Sequence, residues 1–307
     1  EAKLIENCEL LKSVQDRTGC KILLAQKAFS AYDTYPILSK YLAGTEASGL
    51  YEARLGSECM PGKECHVFCA AFREDEIEKV FEYADHIVFN SPSQLKLFGE
   101  KAKKAGLSVG LRINPECSTQ EGHEIYDPCA KGSRLGTTRK QWDLLMTKEL
   151  IELLDGLHFH TLCEQNSDAL KVTTEAVREK FGDILPSMKW INLGGGHHIT
   201  RKDYDLETLE SVVTSLMKDF ELEVYLEPGE AVALNAGYLV TKVLDIVENE
   251  NTSIAILDMS AACHTPDVIE MPYLPPLMEA NTKQGRFCYT LAGPTCLAGD
   301  VVGKYFF

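Results

Sequence analysis

Short apolar runs alternate with longer amphipathic stretches over most of the chain. The apolar runs have the length and β-branched content of buried strands, and they are Ile22–Ala25, Thr45–Ser48, His66–Cys69, His86–Phe89, Val109–Ile113, Gly156–Thr161, Trp190–Leu193 and Glu223–Leu226. Between them lie stretches with helical spacing, namely Asp75–Tyr83, Ser93–Ala105, Lys140–Leu154, Ala169–Phe181 and Leu206–Phe220. Repeated about eight times, this alternation predicts a parallel barrel or a doubly wound sheet.

The pattern changes after Gly229. Ala231–Val247, Ser253–Met259 and Arg286–Leu291 have the composition of strands, and no long helix lies between them. We therefore expect a first domain over residues 1–235, either a barrel or a doubly wound sheet, and a separate β domain over 236–307. The chain begins inside a helical pattern and ends abruptly, so we expect both natural ends to lie outside it and the β domain to be incomplete.

Composition narrows the possible partners. The net charge of −15 disfavours nucleic acid, which needs clustered cations, and favours cationic small molecules, although acidity is also common simply for solubility. No run approaches the roughly 20 apolar residues that cross a membrane. The 11 cysteines are odd in number and include no CxxC pair, which predicts reduced thiols in the cytoplasm and no zinc site.

Two charged residues directly follow predicted strands. In a barrel, chemistry belongs at the carboxyl ends of the strands. Lys27 follows the first strand, where burial would make its amine nucleophilic and suited to a Schiff base with an aldehyde cofactor. Glu227 follows the last strand and could hold a protonated ring nitrogen. The alternatives are a lysine that extends to solvent and a surface acid in a turn.

Two histidines lie near the end of the predicted sixth strand, and three glycines follow the predicted seventh strand. His158 and His160 share one strand face, where they could bind metal, stack on a flat ring, or form hydrogen bonds in the core. The triplet 194–196 is Gly-Gly-Gly, which is either an anion-binding turn or a plain tight turn. Late in the chain, a Gly- and Pro-rich loop carries Cys296 and Asp300, and a structural cysteine is the alternative there.

Five ordered segments complete the pattern: Leu-Arg-Ile-Asn-Pro-Glu at 111–116, Tyr-Asp-Pro-Cys at 126–129, Ser-Arg-Leu-Gly at 133–136, His-Phe-His-Thr-Leu-Cys-Glu at 158–164, and Gly-Pro-Thr-Cys-Leu-Ala-Gly-Asp at 293–300. Together they resemble the fold type III pyridoxal-phosphate (PLP) decarboxylases, and within them the carboxynorspermidine and carboxyspermidine decarboxylases. The resemblance implies an alanine-racemase-like (β/α)8 TIM barrel with a C-terminal β domain, and PLP as cofactor.

The same resemblance implies roles for individual residues. Lys27 should carry PLP as a Schiff base, and His160 should stack on its ring. Glu227 should pair with the ring nitrogen. The remaining cofactor contacts implied are Arg112, Gly194, Gly195 and Gly196.

On the substrate side, Cys296 or a water should return a proton to the substrate Cα, and Asp300 should bind a distal ammonium group. In the family, both residues reach the site of the neighbouring subunit, so a homodimer with shared sites is implied. Glu164 and Glu230 are further substrate candidates. Relatives commonly carry Arg at position 230, and the acid favours a cationic substrate.

The predicted function is PLP-dependent decarboxylation of carboxynorspermidine or carboxyspermidine to norspermidine or spermidine, in polyamine biosynthesis. The first alternative is decarboxylation of diaminopimelate or another basic amino acid. Diaminopimelate would need a cation for its distal carboxylate; Arg134 could supply one, but Leu297 stands where those relatives often carry an acid. A metal-dependent barrel hydrolase, built on His158/His160 and the pair at 197–198, is the second, and it leaves Lys27 unexplained.

Overall fold

The structure, a computed structural model, describes residues 1–120, 126–270 and 273–307. The chain divides into two compact units, Glu1–Gly237 and Tyr238–Phe307. Across the described residues, no helix combines the length and the apolar character that crossing a membrane requires.

The first unit is a closed barrel of eight parallel strands, as the sequence predicted. The strands are β1 Lys21–Ala25, β2 Gly44–Ala47, β3 Glu64–Phe68, β4 His86–Phe89, β5 Ser108–Asn114, β6 Gly156–His158, β7 Trp190–Asn192 and β8 Glu223–Leu226. Each strand pairs with the next, and pairing of β8 with β1 closes the ring. A two-residue strand, Thr137–Thr138, pairs with the end of β5.

Helices follow most strands of the barrel. They are α1 Ala2–Thr18, α2 Tyr35–Leu38, α3 Leu50–Cys59, α4 Ile77–Phe81, α5 Pro92–Lys104, α6 Arg139–Leu145, α7 Lys148–Ile151, α8 Ser167–Phe181, α9 Leu206–Phe220 and α10 Glu230–Ala233. The single helix predicted over Lys140–Leu154 is wrong. Thr147 interrupts it, because its side chain accepts a hydrogen bond from the Leu150 backbone N–H and so caps a new helix.

The middle of the barrel interior is filled by rings. Trp190 packs edge-on against Tyr225, and the imidazoles of His66 and His86 stack with centroids 3.9 Å apart. The indole of Trp190 has space because a neighbouring strand carries glycine: a Cβ on Gly156 would lie 2.0 Å from its Cδ2. This packed layer lies below the strand ends that carry the candidate site.

The second unit is a four-stranded sheet with two short helices, which confirms a separate sheet domain. Its elements are β9 Val243–Asn249, β10 Thr252–Leu257, α11 Ala261–His264, α12 Asp267–Glu270, β11 Cys288–Ala292 and β12 Val301–Phe306, with the strands in spatial order β9-β10-β11-β12. The predicted strand Ala231–Val247 is wrong in its first half. That segment begins inside α10, and the strand starts only at Val243.

Candidate active site

The carboxyl ends of the barrel strands surround a cavity of about 230 Å³. It brings together four predicted site residues, Lys27, Arg112, His160 and Glu227, and it adds Ala25, Glu46, Ser48, Phe68, Cys69, Ala70, Arg134, Leu135 and His158. A more open recess of about 420 Å³, bordered by Ser118 and Asp168, is lined mainly by hydroxyl and amide groups. The smaller cavity is the candidate site because it concentrates the amine, carboxyl and imidazole groups.

Lys27 stands at the end of β1 on a turn that its neighbour anchors. The Gln26 side chain donates to the backbone oxygens of Glu46 at 3.2 Å and Glu52 at 2.9 Å, and the Tyr35 hydroxyl donates to its amide oxygen at 3.0 Å. Lys27 itself is exposed within the first unit. The burial expected for its amine is therefore not supplied by the barrel unit.

Glu227 is a buried carboxylate with a hydrogen-bond donor on each oxygen. Asn192 Nδ2 donates to Oε1 at 2.7 Å, and His158 Nε2 lies 3.2 Å from Oε2. Burial by itself would raise the pKa of Glu227, but the contacts with His158 and the amide of Asn192 outweigh it and hold the pKa below its usual value. Glu227 is therefore ionised, as pairing with a protonated ring nitrogen requires.

Glu46 is a second buried carboxyl in the cavity, and sequence reasoning missed it. Among the described residues, no donor reaches its carboxyl group. Burial raises the pKa of Glu46 well above its usual value, and the negative charge of Glu227 adds to the rise, whereas Lys27 opposes it. The sequence did carry a signal, because this acid lies inside the predicted strand Thr45–Ser48. In the structure every residue of that strand, β2, is buried.

Arg112 and His160 complete the walls. The guanidinium of Arg112 lies 4.7 Å from the ring centre of Phe68 and donates to the His160 backbone oxygen at 3.2 Å. Burial lowers the pKa of Arg112 to about 10, so it remains a cation. Burial also lowers the pKa of His160 well below its usual value, with the charge of Lys27 acting in the same direction, so its imidazole is neutral.

The glycine triplet makes a tight turn after β7 beside this imidazole. A Cβ atom on Gly195 would lie 2.4 Å from the backbone oxygen of Glu227, and one on Gly196 would lie 2.2 Å from the backbone oxygen of Leu162. The N–H of Gly194 donates to Asn192 Oδ1 at 2.9 Å, and that of Gly195 to His160 Nδ1 at 3.1 Å.

These bonds leave fewer free donors than an anion-binding turn of three glycines would offer. Two of the N–H groups are already used by side chains, which orient Asn192 and His160. Within residues 1–120, 126–270 and 273–307, the N–H of Gly196 is the one of the three without an acceptor. The cradle thus rests on Gly196 and on the space that missing Cβ atoms leave.

Two predicted substrate residues meet at a histidine near the same strand ends. His198 Nε2 lies 3.0 Å from Glu230 Oε2, and the three side chains of Glu164, His198 and Glu230 place ligand-capable atoms within 4.8 Å of one another. The hydrogen bond with His198 holds the pKa of Glu230 below its usual value against the effect of burial. Glu230 therefore contributes a negative charge at neutral pH.

Cys296 and Asp300 belong to the second unit. Cys296 is exposed. Asp300 is 2% exposed, and its carboxylate accepts hydrogen bonds from the Ala261 N–H at 2.8 Å, the Thr295 hydroxyl at 2.7 Å and the Ser260 hydroxyl at 3.1 Å. These bonds tie the cysteine loop to the start of α11. They engage both carboxylate oxygens, which disfavours the predicted role of Asp300 as ligand of a distal ammonium.

Among the described residues, the histidine pairs of the hydrolase alternative do not form a shared cluster of metal-ligand atoms. His158 is bonded to Glu227, whereas Nδ1 of His160 is bonded to Gly195. A PLP molecule fits the cavity chemically, because an amine, an ionised carboxylate, a neutral imidazole and a glycine turn without Cβ atoms border one space.

Comparison with known proteins agrees with this chemistry. The profile described as "Pyridoxal-dependent decarboxylase, C-terminal sheet domain" matches residues 24–306. The carboxynorspermidine/carboxyspermidine decarboxylase of Campylobacter jejuni is 44% identical over 100% of this chain and 81% of its own length. The carboxyaminopropylagmatine decarboxylase of Synechocystis is 37% identical over 100% of this chain and 78% of its own.

Solved structures give the same result. The crystal structure of the Campylobacter jejuni carboxynorspermidine decarboxylase complexed with norspermidine superposes with a TM-score of 0.86 at 43% identity, over 99% of this chain and 81% of that one. The diaminopimelate decarboxylase of Helicobacter pylori, at 16% identity and a TM-score of 0.76, shares the fold. With this fold, this cavity and these relatives, the chain belongs to the pyridoxal-dependent decarboxylase family.

Proposed function

We propose that this chain decarboxylates carboxynorspermidine or carboxyspermidine and releases norspermidine or spermidine. The observation that carries the proposal is one cavity holding Lys27, an ionised Glu227 and a neutral His160. The choice of substrate is supported by the Campylobacter jejuni relative, which has that named activity and aligns with the whole of this chain.

When bound, PLP supplies an electron sink for the charge left on the substrate Cα after CO2 departs. Lys27 would hold it covalently, and Glu227 would keep its ring nitrogen protonated. The neutral imidazole of His160 offers a flat face for the ring, and Gly196 offers an N–H to the phosphate. Cys296 would return the proton to Cα.

Selection of a polyamine substrate would depend on negative charge near the mouth of the barrel. Glu230 lies three residues after Glu227 and stays anionic beside His198. With Glu164 it forms an acidic pair that suits secondary and primary ammonium groups. Arg134, in contrast, lines the cavity and could hold a carboxylate, so substrate comparison is the decisive test.

Cys296 lies outside the barrel unit, which fits a site completed by a second copy of the chain. We propose a homodimer in which each cysteine loop serves the partner's site. A cytoplasmic location is the further proposal, because 11 unpaired thiols suit a reducing compartment.

The test is CO2 release by the purified, PLP-loaded chain with four substrates: carboxynorspermidine, carboxyspermidine, carboxyaminopropylagmatine and diaminopimelate. We expect an absorbance band near ~420 nm and the highest kcat/KM for the first two. A Glu230→Gln variant should raise KM for these substrates more than it lowers kcat. A preference for diaminopimelate would overturn the assignment, and a protein that binds no PLP would overturn the chemistry.

A further inference from the structure

His158 is the first histidine of the pair on β6, and the chemistry proposed above uses only the second. It is 1% exposed and lies at the side of the cavity where Glu227 ends. We propose that His158 is a positioning residue: as a neutral imidazole it donates from Nε2 to Glu227, which fixes the carboxylate and leaves its negative charge undiminished for a protonated ring nitrogen. The inference rests on the proposed role of Glu227 toward the cofactor.

Side chains on both oxygens fix the geometry around Glu227. His158 Nε2 lies 3.2 Å from one carboxylate oxygen, and Asn192 Nδ2 lies 2.7 Å from the other. Asn192 cannot turn its amide round, because its oxygen accepts the Gly194 N–H at 2.9 Å. The Glu227 backbone N–H donates to the Gly194 oxygen at 2.8 Å. Both ends of the glutamate are therefore held, and its direction is set by two side chains.

The surroundings of His158 favour its neutral form. Its Nδ1 is buried and has no hydrogen-bond partner in the part of the chain that the structure describes. A protonated ring would leave a buried N–H unpaired and a charge desolvated, which is more costly than an unpaired lone pair. Burial accordingly lowers the pKa of His158, although Glu227 opposes the shift. Arg112 and Lys27, the other charged groups facing the ring, also favour the neutral form.

A second carboxyl, that of Glu46, lies in the same cavity and lacks these partners. Glu46 and Glu227 are each 5% exposed, so burial penalises both carboxylates alike. Glu46 lacks donors and its pKa is raised, whereas Glu227 has two donors and its pKa is lowered. One difference between the two carboxyls is the pair of donors, of which His158 supplies one; the other is the surrounding charge, since Glu227 itself raises the pKa of Glu46. A charged histidine would supply the same bond but would cancel the carboxylate charge.

The test compares three variants of the full chain: His158→Gln, His158→Asn and His158→Leu. The side-chain N–H2 of Gln reaches the position of Nε2, whereas that of Asn reaches only the position of Nδ1, and Leu fills space without donating. The measurements are the Kd for PLP and the pH midpoint of the visible absorbance band of the PLP-loaded protein. Tm reports on folding separately.

We expect the Gln variant to bind PLP within about threefold of the wild-type chain, and the Leu and Asn variants to bind roughly 10- to 100-fold more weakly with a displaced pH midpoint. Should the Leu variant fail to fold, the contrast between Gln and Asn decides. Equal Kd values and midpoints in the Gln and Asn variants would overturn the inference. A wild-type chain that binds no PLP would instead overturn the proposed function itself.

Discussion

Replacing Asp300 by alanine should lower the stability of the second unit. A change in substrate affinity should not be the main effect. The carboxylate accepts from the backbone N–H of Ala261 and from the hydroxyls of Thr295 and Ser260. The hydroxyls can rotate toward other acceptors after the change, but the backbone N–H of Ala261 cannot. Alanine therefore leaves at least one buried donor without a partner.

The expected magnitude follows from these bonds. A hydrogen bond to a charged acceptor contributes roughly 1.5–3 kcal/mol, and a buried donor left unpaired is penalised by a similar amount. With the hydroxyls partly compensated, we expect the Asp300→Ala unit to lose about 3 kcal/mol of stability. That corresponds to roughly a hundredfold faster exchange of its most protected amides, if they exchange by opening of the whole unit.

Hydrogen exchange read by mass spectrometry gives the answer segment by segment. Peptides covering β10, β11 and β12 should lose protection, with β7 as an internal reference. Asp258→Ala is the matched control. The carboxylate of Asp258 also accepts hydrogen bonds from a hydroxyl, that of Thr241, and from a backbone N–H, that of Lys242, but it is exposed. Wild-type protection in Asp300→Ala, together with a KM raised tenfold or more, would refute this reasoning and restore Asp300 as a substrate ligand.

Three further predictions concern the cavity, the barrel core and the shared site. In the PLP-free chain, the folded pKa of Glu46 is raised above its unfolded pKa of about 4.3, so the unfolding free energy should fall as pH rises above that value. Glu46→Gln should reduce this dependence of the unfolding free energy on pH, as measured by urea titrations between pH 5 and 8. Gly156→Ala should lower the unfolding free energy by about 3 kcal/mol through the clash with the indole, whereas Gly237→Ala, with open space at Cβ, should change it by less than about 0.5. Lys27→Ala and Cys296→Ala chains, each inactive, should recover roughly a quarter of wild-type turnover when refolded together, since half of the dimers then hold one intact site; no recovery would argue against the shared site.

The alternation of inward- and outward-facing side chains along each strand explains why much of the site could be predicted. Once β1, β6 and β8 are recognised, alternation places Lys27, His160 and Glu227 on inward-facing positions at the same end of the barrel. The strand His86–Phe89 was predicted with its observed bounds for the same reason, because a short apolar run with turn residues on both sides has few alternatives.

What could not be predicted depends on partners distant in sequence. Asp300 is bonded to residues about 40 positions earlier, so its saturation is visible only in the fold. The donors on Glu227 come from β6 and β7, and the protonation of Glu46 depends on their absence around it. Helix propensity likewise extended a helix across Thr147, where a hydroxyl cap outweighs it.

The indole of Trp190 fills the space that Gly110 and Gly156 leave open, so the sizes of the side chains at these three positions depend on one another. Cβ atoms on Gly110 and Gly156 would lie 2.4 and 2.0 Å from the indole, on two different strands. A change at one of these positions alone therefore either collides with the ring or leaves a void beside it. Exchanging the tryptophan for a smaller ring should make alanine acceptable at Gly156, so the two substitutions should be strongly non-additive. Divergence at this level of the barrel should accordingly proceed through linked replacements.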